Sequence, residues 1–330
     1  MMFACTSLRI LDAHQRVYHG RTLEFLTDYP SYLTYYPTGF IFENLTPDGQ
    51  PGLKYTAKYN ILCITMPAFS LDDRSVIEGM NNAGLSFSAN MYSTSETPEL
   101  KQEEYAQALP LIKIGNWALA LFQSVDEIKQ ALLKQPMWSP TLPLLENSRS
   151  PLHFIFYDKK GQCIVVEYTK GKLCIYDNPT GVLTNGPEFS WHLTNMHNYT
   201  MLTNQDKSVS TELGGLSLQA PDLGNAMATL PSDDTSVGRF VRAVFYTSFA
   251  LKAETADVAL IELSHIMNKF DRPKNMTVGE QRKSEYTEWT SLSDLDRGYL
   301  FVRTYRDLNY TQYKLSDFEK DNQFYIQQLV

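Results

Sequence analysis

Apolar residues in this chain recur at two spacings, and the switch between them divides it into strand-forming ends with helices between. Near the start, Ser7 to Leu11 and Arg16 to His19 flank the turn residues Asp12-Ala13-His14 and predict a first hairpin. Leu85 to Ala89 alternates Leu, Phe and Ala with serines, the period-two pattern of a strand. His153 to Asp158, Cys163 to Tyr168 and Lys172 to Tyr176 are separated by turns at Lys160-Gly161 and Lys170-Gly171 and predict a meander. Tyr286 to Ser291 and Tyr299 to Tyr305 enclose Asp294 to Gly298 as a further hairpin. Links this short join antiparallel neighbours. Helical spacing appears over Leu109 to Gly115, over Val125 to Lys134 behind the capping box Ser124-Val125-Asp126-Glu127, and over the pair Gly238 to Lys252 and Ala256 to Lys269. Runs of strands interrupted by helix pairs, without strict βαβ alternation, predict an α+β layering.

Composition narrows the classes of function. The 330 residues carry no linker rich in Pro, Gly or Ser and no compositional break, so one large domain is expected. A net charge of -8 and a pI near 5.3 supply no average basic field, which argues against nucleic acid or anionic lipid as the main partner. No stretch reaches the ~20 apolar residues of a membrane-spanning helix. Cys5, Cys63, Cys163 and Cys174 lack the close pairing of a metal site and the density of a disulfide scaffold. Cys63 and Cys163 lie in apolar, strand-like runs and read as small core residues.

Cys5, at the head of Cys-Thr-Ser-Leu-Arg-Ile, is the residue that carries the most chemistry. A cysteine at a mature N-terminus brings its own base, because a free α-amine titrates near pH ~8 and can take the thiol proton. The amide joining Ala4 to Cys5 cannot do this. A nucleophilic Cys5 therefore requires residues 1–4 to be a leader that is removed. Two locations are compatible with that start: a cytoplasmic protein that trims its own leader, or a periplasmic or secreted one whose longer signal has been cut, with Ala4 the small residue that a signal peptidase prefers.

Five segments in order resemble the choloylglycine hydrolase family of bile salt hydrolases and penicillin V acylases. They are Cys5 to Ile10, His19-Gly20-Arg21-Thr22-Leu23-Glu24-Phe25, Glu78-Gly79-Met80-Asn81-Asn82-Ala83-Gly84-Leu85, Thr184-Asn185-Gly186-Pro187-Glu188-Phe189-Ser190-Trp191-His192, and Leu230-Pro231-Ser232-Asp233 with Gly238-Arg239-Phe240-Val241-Arg242-Ala243. The resemblance runs from Cys5 to about Arg306. It implies a four-layer αββα sandwich of two antiparallel sheets between helix layers, over residues 5–330. It also implies a homotetramer, to which the polar stretch Thr203 to Asn225 would contribute subunit contacts; a surface loop is the other reading of that stretch.

The resemblance assigns roles residue by residue. Cys5 is the nucleophile. Arg21 stands beside it, where a guanidinium favours the thiolate and lowers the thiol pKa. Glu24 takes the place of an aspartate that orients the α-amine; its extra methylene demands that the backbone retreat by about a bond length or that the side chain fold back. Asn185 is the oxyanion donor, a contribution of roughly 2.7 to 4 kcal/mol in comparable hydrolases. Arg239 is a second arginine near the nucleophile, and Arg242 a structural one. Asn81, Asn195 and Asn198 read as turn or capping residues, and His192 and His197 as structural.

The substrate side is less defined. Met91 occupies the register where bile salt hydrolases have Asn and penicillin V acylases an aromatic, and a slip of one residue would put Asn90 there. Phe25, Met66, Phe69 and Tyr92 are candidates for an apolar acyl pocket. The expected activity is hydrolysis of a small-molecule, non-peptide linear amide: phenoxyacetyl β-lactam, N-acyl homoserine lactone or conjugated bile salt. Neither metal nor organic cofactor is required, since nucleophile, base and oxyanion donors are all protein groups. A catalytically silent binding protein on the same fold, with Cys5 left blocked, is the alternative.

Overall fold

A computed structural model of the chain describes all residues except 1–3, 27, 71, 144–146 and 280–282, so most of the expected leader lies outside the described residues. In chain order the main strands begin with β1 (Ala4–Leu11), β2 (Val17–Phe25), β3 (Tyr32–Tyr36), β4 (Ile61–Pro67), β5 (Arg74–Asn81) and β6 (Leu85–Met91). The second group is β7 (Leu152–Asp158), β8 (Cys163–Thr169), β9 (Lys172–Asp177) and β10 (Val182–Leu183). The last are β11 (Ser284–Asp294), β12 (Tyr299–Thr304), β13 (Thr311–Lys314) and β14 (Tyr325–Gln328). The helices that matter here are α1 (Ile114–Leu121), α2 (Val125–Leu132), α3 (Phe189–Asn195), α4 (Ser236–Phe249) and α5 (Ala256–Met267).

Two antiparallel sheets form the centre. One runs β10-β1-β2-β11-β12-β13, and the other β9-β8-β7-β6-β5-β4-β3-β14. The two hairpins and the meander expected from the sequence are all present, joined by their predicted turns. Helix α1 packs on β5 and β6, while α4 and α5 pack on β1, β2 and β11. Helices therefore cover the outer face of each sheet and the sheets meet through β1 and β6, the αββα layering of an α+β sandwich.

Sequence and structure differ where local signals compete. The helix expected over Leu109 to Gly115 starts later: Leu109–Pro110 is a short strand, Leu111–Lys113 a single 3₁₀ turn, and α1 begins at Ile114. Gly115 is thus in the first turn of the helix, where it permits close packing: a Cβ there would lie 2.4 Å from Phe87 Cε1 and 2.9 Å from the Val76 carbonyl oxygen. At α2 the Ser124 hydroxyl caps Glu127 N–H at 3.3 Å, but the Glu127 carboxylate reaches back to Gln123 N–H instead of Ser124 N–H. Helices α4 and α5 begin behind Thr235 and Thr255, whose hydroxyls accept from Gly238 and Val258 N–H. Within 203–225, Thr211–Leu213 and Leu216–Leu218 pair as a small hairpin whose residues are all exposed.

Gly115→Ala should lower the urea midpoint by an amount equivalent to about 1–3 kcal/mol, the range for overpacking a filled interior. An unchanged midpoint would mean that α1 lifts off the sheet without cost.

Candidate active site

Strand parity decides which way each site residue faces. Cys5 pairs with Leu23 and Ser7 with Arg21 on the β1–β2 ladder. Residues two apart share a face, so Cys5, Ser7, Arg21, Leu23 and Phe25 point between the sheets. Thr6 and Glu24 point the other way, toward α4, where Arg239 Nη1 donates to Thr6 Oγ1 at 2.8 Å.

Arg21 is fully buried and spans the gap between the sheets. Its Nη1 donates to the Ile77 carbonyl oxygen at 2.6 Å and its Nη2 to that of Ala89 at 2.5 Å, while Nη2 also lies 3.6 Å from Cys5 Sγ. The Trp289 ring sits 5.1 Å from the guanidinium, a contact in which the ring face attracts the cation. The expected effect on Cys5 holds in direction but not in sum. Burial pushes the Cys5 thiol above its ordinary value, Arg21 pulls it down, and Glu24 raises it again.

Asn185 follows β10 and its amide orientation is dictated by its partners. Oδ1 accepts from Cys5 N–H at 2.9 Å and from Arg239 Nη2 at 2.7 Å, so it must be the oxygen; Nδ2 donates to the Met91 carbonyl oxygen at 3.0 Å and retains one further N–H. Arg239, on the buried face of α4, also donates to the Cys5 carbonyl oxygen and through Nε to that of Asp234 at 3.0 Å. Burial, with Arg272 as a like-charged neighbour, lowers the Arg239 pKa to about 10. Arg242 turns away to Asp234 Oδ1 at 2.7 Å and the carbonyls of Pro231 and Asp233, the structural role expected of it.

Glu24 is buried and, three residues from Arg21 on β2, faces the other side of the strand. Opposite it, the β2–β11 pairing jumps from Leu23↔Trp289 to Glu24↔Thr287, a bulge that skips Glu288. The backbone is therefore irregular at the position where the longer side chain needs room. Glu24 Oε1 accepts from Thr287 Oγ1 at 3.0 Å, while Oε2 is buried with no hydrogen-bond partner among the described residues. Burial raises the Glu24 carboxyl, opposed by Arg272 and Arg239. Arg272 has no counterpart among the sequence candidates, because Asp271-Arg272-Pro273-Lys274 reads only as a polar connection.

Two cavities flank Cys5 and share Met91: Cys5 lines the first, and its N–H reaches Asn185 on the wall of the second. An apolar one of about 60 Å³ is lined by Cys5, Arg21, Phe25, Met66, Met91 and Ile112, among others. A polar cleft of about 470 Å³ on the other side is lined by Ala4, Asn185, Arg239, Arg272 and Glu285, among others. Of the expected pocket residues, Phe25, Met66 and Met91 line the apolar cavity, and Tyr29, Leu142 and Leu152 join them from segments with no distinguishing pattern. Three expected residues do not line it. Asn90 is turned to β1 and β10, its Oδ1 accepting from Ser7 Oγ and its Nδ2 donating to the Leu183 and Thr184 carbonyls, because its parity is opposite to that of Met91. Tyr92 stacks on His153 and its hydroxyl meets Thr169 Oγ1 at 2.9 Å. Phe69 packs near Trp138, with ring centroids 6.4 Å apart. Met91 also presents its backbone N–H to Cys5, favouring the thiolate.

Asn81 is the turn residue it was expected to be, its Oδ1 accepting from Ala83 and Leu85 N–H and its Nδ2 donating to carbonyls of Leu119 and Phe122. His192 is buried with Nε2 on the Asn185 carbonyl oxygen at 2.9 Å, whereas His197 is largely exposed. No group of three or more His, Cys, Asp or Glu among the described residues is placed to hold a metal ion. Among those residues, too, no helix is long and apolar enough to cross a membrane.

The layered fold and this cluster of cysteine, arginines and asparagine define an α+β amide hydrolase. Residues 5–326 match the family described as linear amide C–N hydrolases, choloylglycine hydrolase family, and the chain belongs to that family. It is 30% identical over 319 residues to a bile salt hydrolase/transferase of Clostridium perfringens, covering 96% of this chain and 93% of that protein. A conjugated bile acid hydrolase of Clostridium perfringens, solved as a mutant, superposes with a TM-score of 0.84 at 27% identity, covering 99% of this chain and 96% of the other. A penicillin V acylase from Agrobacterium tumefaciens shares the fold, with a TM-score of 0.78 at 22% identity over 98% and 91% of the two chains. The protein is thus a hydrolase of carbon–nitrogen bonds in non-peptide linear amides.

The Arg21 contact gives a direct chemical prediction. Replacing Arg21 with Gln removes a charge that lowers the Cys5 pKa, so less thiolate is present at a given pH and alkylation of Cys5 by iodoacetamide should slow by about tenfold per pKa unit. Arg21→Lys should recover part of the rate. Equal rates in Gln and wild type, measured peptide by peptide over a pH series, would show that Arg21 does not tune the sulfur.

Proposed function

We propose that Cys5, freed by removal of residues 1–4, is the nucleophile of this hydrolase and that its α-amine is the base. The observation that carries this reading is that Cys5 lines the apolar cavity with Arg21 at its sulfur, while its nitrogen is bonded to Asn185, which with Ala4 lines the polar cleft. Ala4 lines the polar cleft, so a leader occupies the space that a leaving amine needs. Its removal turns the Cys5 N–H that faces Asn185 Oδ1 into an amine. Glu24, whose Oε2 has no hydrogen-bond partner among the described residues and whose charge bears on Cys5, supplies the countercharge to the corresponding ammonium.

In the reaction the amine takes the thiol proton and sulfur attacks the amide carbon. The remaining Asn185 Nδ2–H and the Met91 backbone N–H stabilise the oxyanion. The C–N bond then breaks, the α-ammonium returns its proton to the departing amine, and water hydrolyses the thioester with the α-amine as base. Because Met91 contributes through its backbone, its side chain is free to differ from the family's Asn or aromatic residue.

The acyl half of the substrate enters the apolar cavity. Among its described lining residues the side-chain polar groups are those of Cys5, Arg21 and Tyr29, and the Tyr29 hydroxyl is engaged by the Pro67 carbonyl oxygen at 3.2 Å. A lining with so few polar groups, and with the Tyr29 proton already given to Pro67, favours an aryloxyacetyl or aliphatic acyl group over a hydroxylated steroid. The full-length likeness to a bile salt hydrolase/transferase supports conjugated bile salts as the second reading.

Turnover of phenoxymethylpenicillin, a long-chain N-acyl homoserine lactone and glycocholate should be compared in the processed enzyme. Either of the first two should exceed glycocholate by at least about tenfold, and Cys5→Ser should lose most activity on all three. A reversed order would move the assignment to bile salts. Near wild-type turnover by Cys5→Ser would remove the nucleophile from Cys5.

A further inference from the structure

Asn185 is held by two buried histidines whose sequence context marks neither as functional. His153 is one step beyond the paired Phe154 and Val166 on the β7–β8 ladder, which places it opposite Glu167. Its Nε2 lies 3.1 Å from the Thr184 carbonyl oxygen and its Nδ1 2.9 Å from Glu167 Oε1. A peptide carbonyl only accepts, so Nε2 carries a hydrogen. Glu167 in turn accepts Phe189 N–H, the first amide of α3, at 3.0 Å on Oε1 and 3.2 Å on Oε2. This one N–H, shared between the two oxygens, ties the carboxyl group to the start of α3 while Oε1 also meets His153 Nδ1. The Tyr92 ring lies nearly parallel to the imidazole, 5.0 Å away at 11°.

The second histidine works from α3. Burial lowers the His192 pKa to about 4, so the ring is neutral and its Nε2–H donates to the Asn185 carbonyl oxygen at 2.9 Å. Asn185 N–H donates to Ser236 Oγ at 2.9 Å. The carbonyl before Asn185, its own carbonyl and its N–H are therefore each tied to a different element. Tyr92 follows Met91, whose carbonyl oxygen takes Asn185 Nδ2. One imidazole thus touches both chain segments that meet at Cys5.

We propose that His153, held by Glu167, is a positioning residue for Asn185: its Nε2–H fixes the Thr184 carbonyl while Glu167 fixes α3 and, through His192, the Asn185 carbonyl. This rests on Asn185 acting as an oxyanion donor. The titratable and charged groups around His153 are Glu167 on β8, Tyr92 at the end of β6, His192 on α3, Glu188 next to Phe189, and Arg239 across Asn185.

His153→Phe keeps a ring against Tyr92 but removes the Nε2–H that holds the Thr184 carbonyl. Its kcat should fall by up to about a hundredfold with KM little changed, and His153→Gln, whose amide can donate to the same carbonyl, should recover part of the loss. A wild-type kcat in His153→Phe would overturn the proposal. Should that variant fail to fold, ¹⁵N imidazole spectra of the wild type decide: Nε2 of His153, assigned through its contact with the Tyr92 ring, should carry a hydrogen, and a bare Nε2 would overturn the proposal. Asn185→Ala separates the two claims. Full turnover in that variant would sink the oxyanion assignment, whereas its loss beside an unaltered kcat in His153→Phe would sink the positioning role alone.

Discussion

The Arg21 guanidinium, taken out of water between two sheets, is the constraint around which the site is arranged. An isolated charge in that position is costly unless it is hydrogen-bonded and paired. Arg21 gives its two terminal nitrogens to the carbonyls of Ile77 and Ala89, which belong to the opposite sheet, and lies by the face of Trp289, while its Nε has no hydrogen-bond partner among the described residues. Its nearest carboxyl, that of Glu78, is 3.9 Å away. Burial pushes Glu78 up to about 8, against the pull of Arg21, and holds His19, beside it, down to about 3, which weakens the competition of this pair for the guanidinium. Arg21 also acts on Cys5 Sγ, 3.6 Å from its Nη2.

The same strand pair separates the two halves of a substrate. Residues of one parity on β1 and β2 point inward and contribute to an apolar cavity, and those of the other parity point to α4, where Arg239, Arg272 and Glu24 converge. Cys5 belongs to both sides, its sulfur on the inner and its nitrogen at the polar cleft. An amide with an apolar acyl group and a polar amine is matched to that division. Cleavage of the chain before Cys5 would supply the base and empty the amine side in one event.

Much of this was legible from local pattern. Strands with period-two alternation and short glycine turns, such as the meander from Leu152 to Asp177, appear with nearly the predicted limits. The family motifs pointed to Cys5, Arg21, Glu24, Asn185 and Arg239, and all five converge in space through β1, β2, β10 and α4. What could not be read depends on long-range packing. Helical spacing over Leu109 to Gly115 put Gly115 at a helix end, yet it lies in the first turn of α1, where it permits contact with Phe87. Asn90 looked chemically apt, but strand parity turns it to Ser7. Arg272 and Glu167 lie in segments without any motif, and their importance comes only from what the fold places beside them.

The central claim is that the acyl group passes through a thioester on an N-terminal Cys5. Acid quenching during turnover of phenoxymethylpenicillin, or of whichever amide proves fastest, followed by mass analysis of the N-terminal peptide, tests it directly. The account predicts a peptide that begins at Cys5 and carries the mass of the acyl group, absent from Cys5→Ala. Turnover by a chain that retains Ala4, or an acyl group found on any other residue, would contradict it.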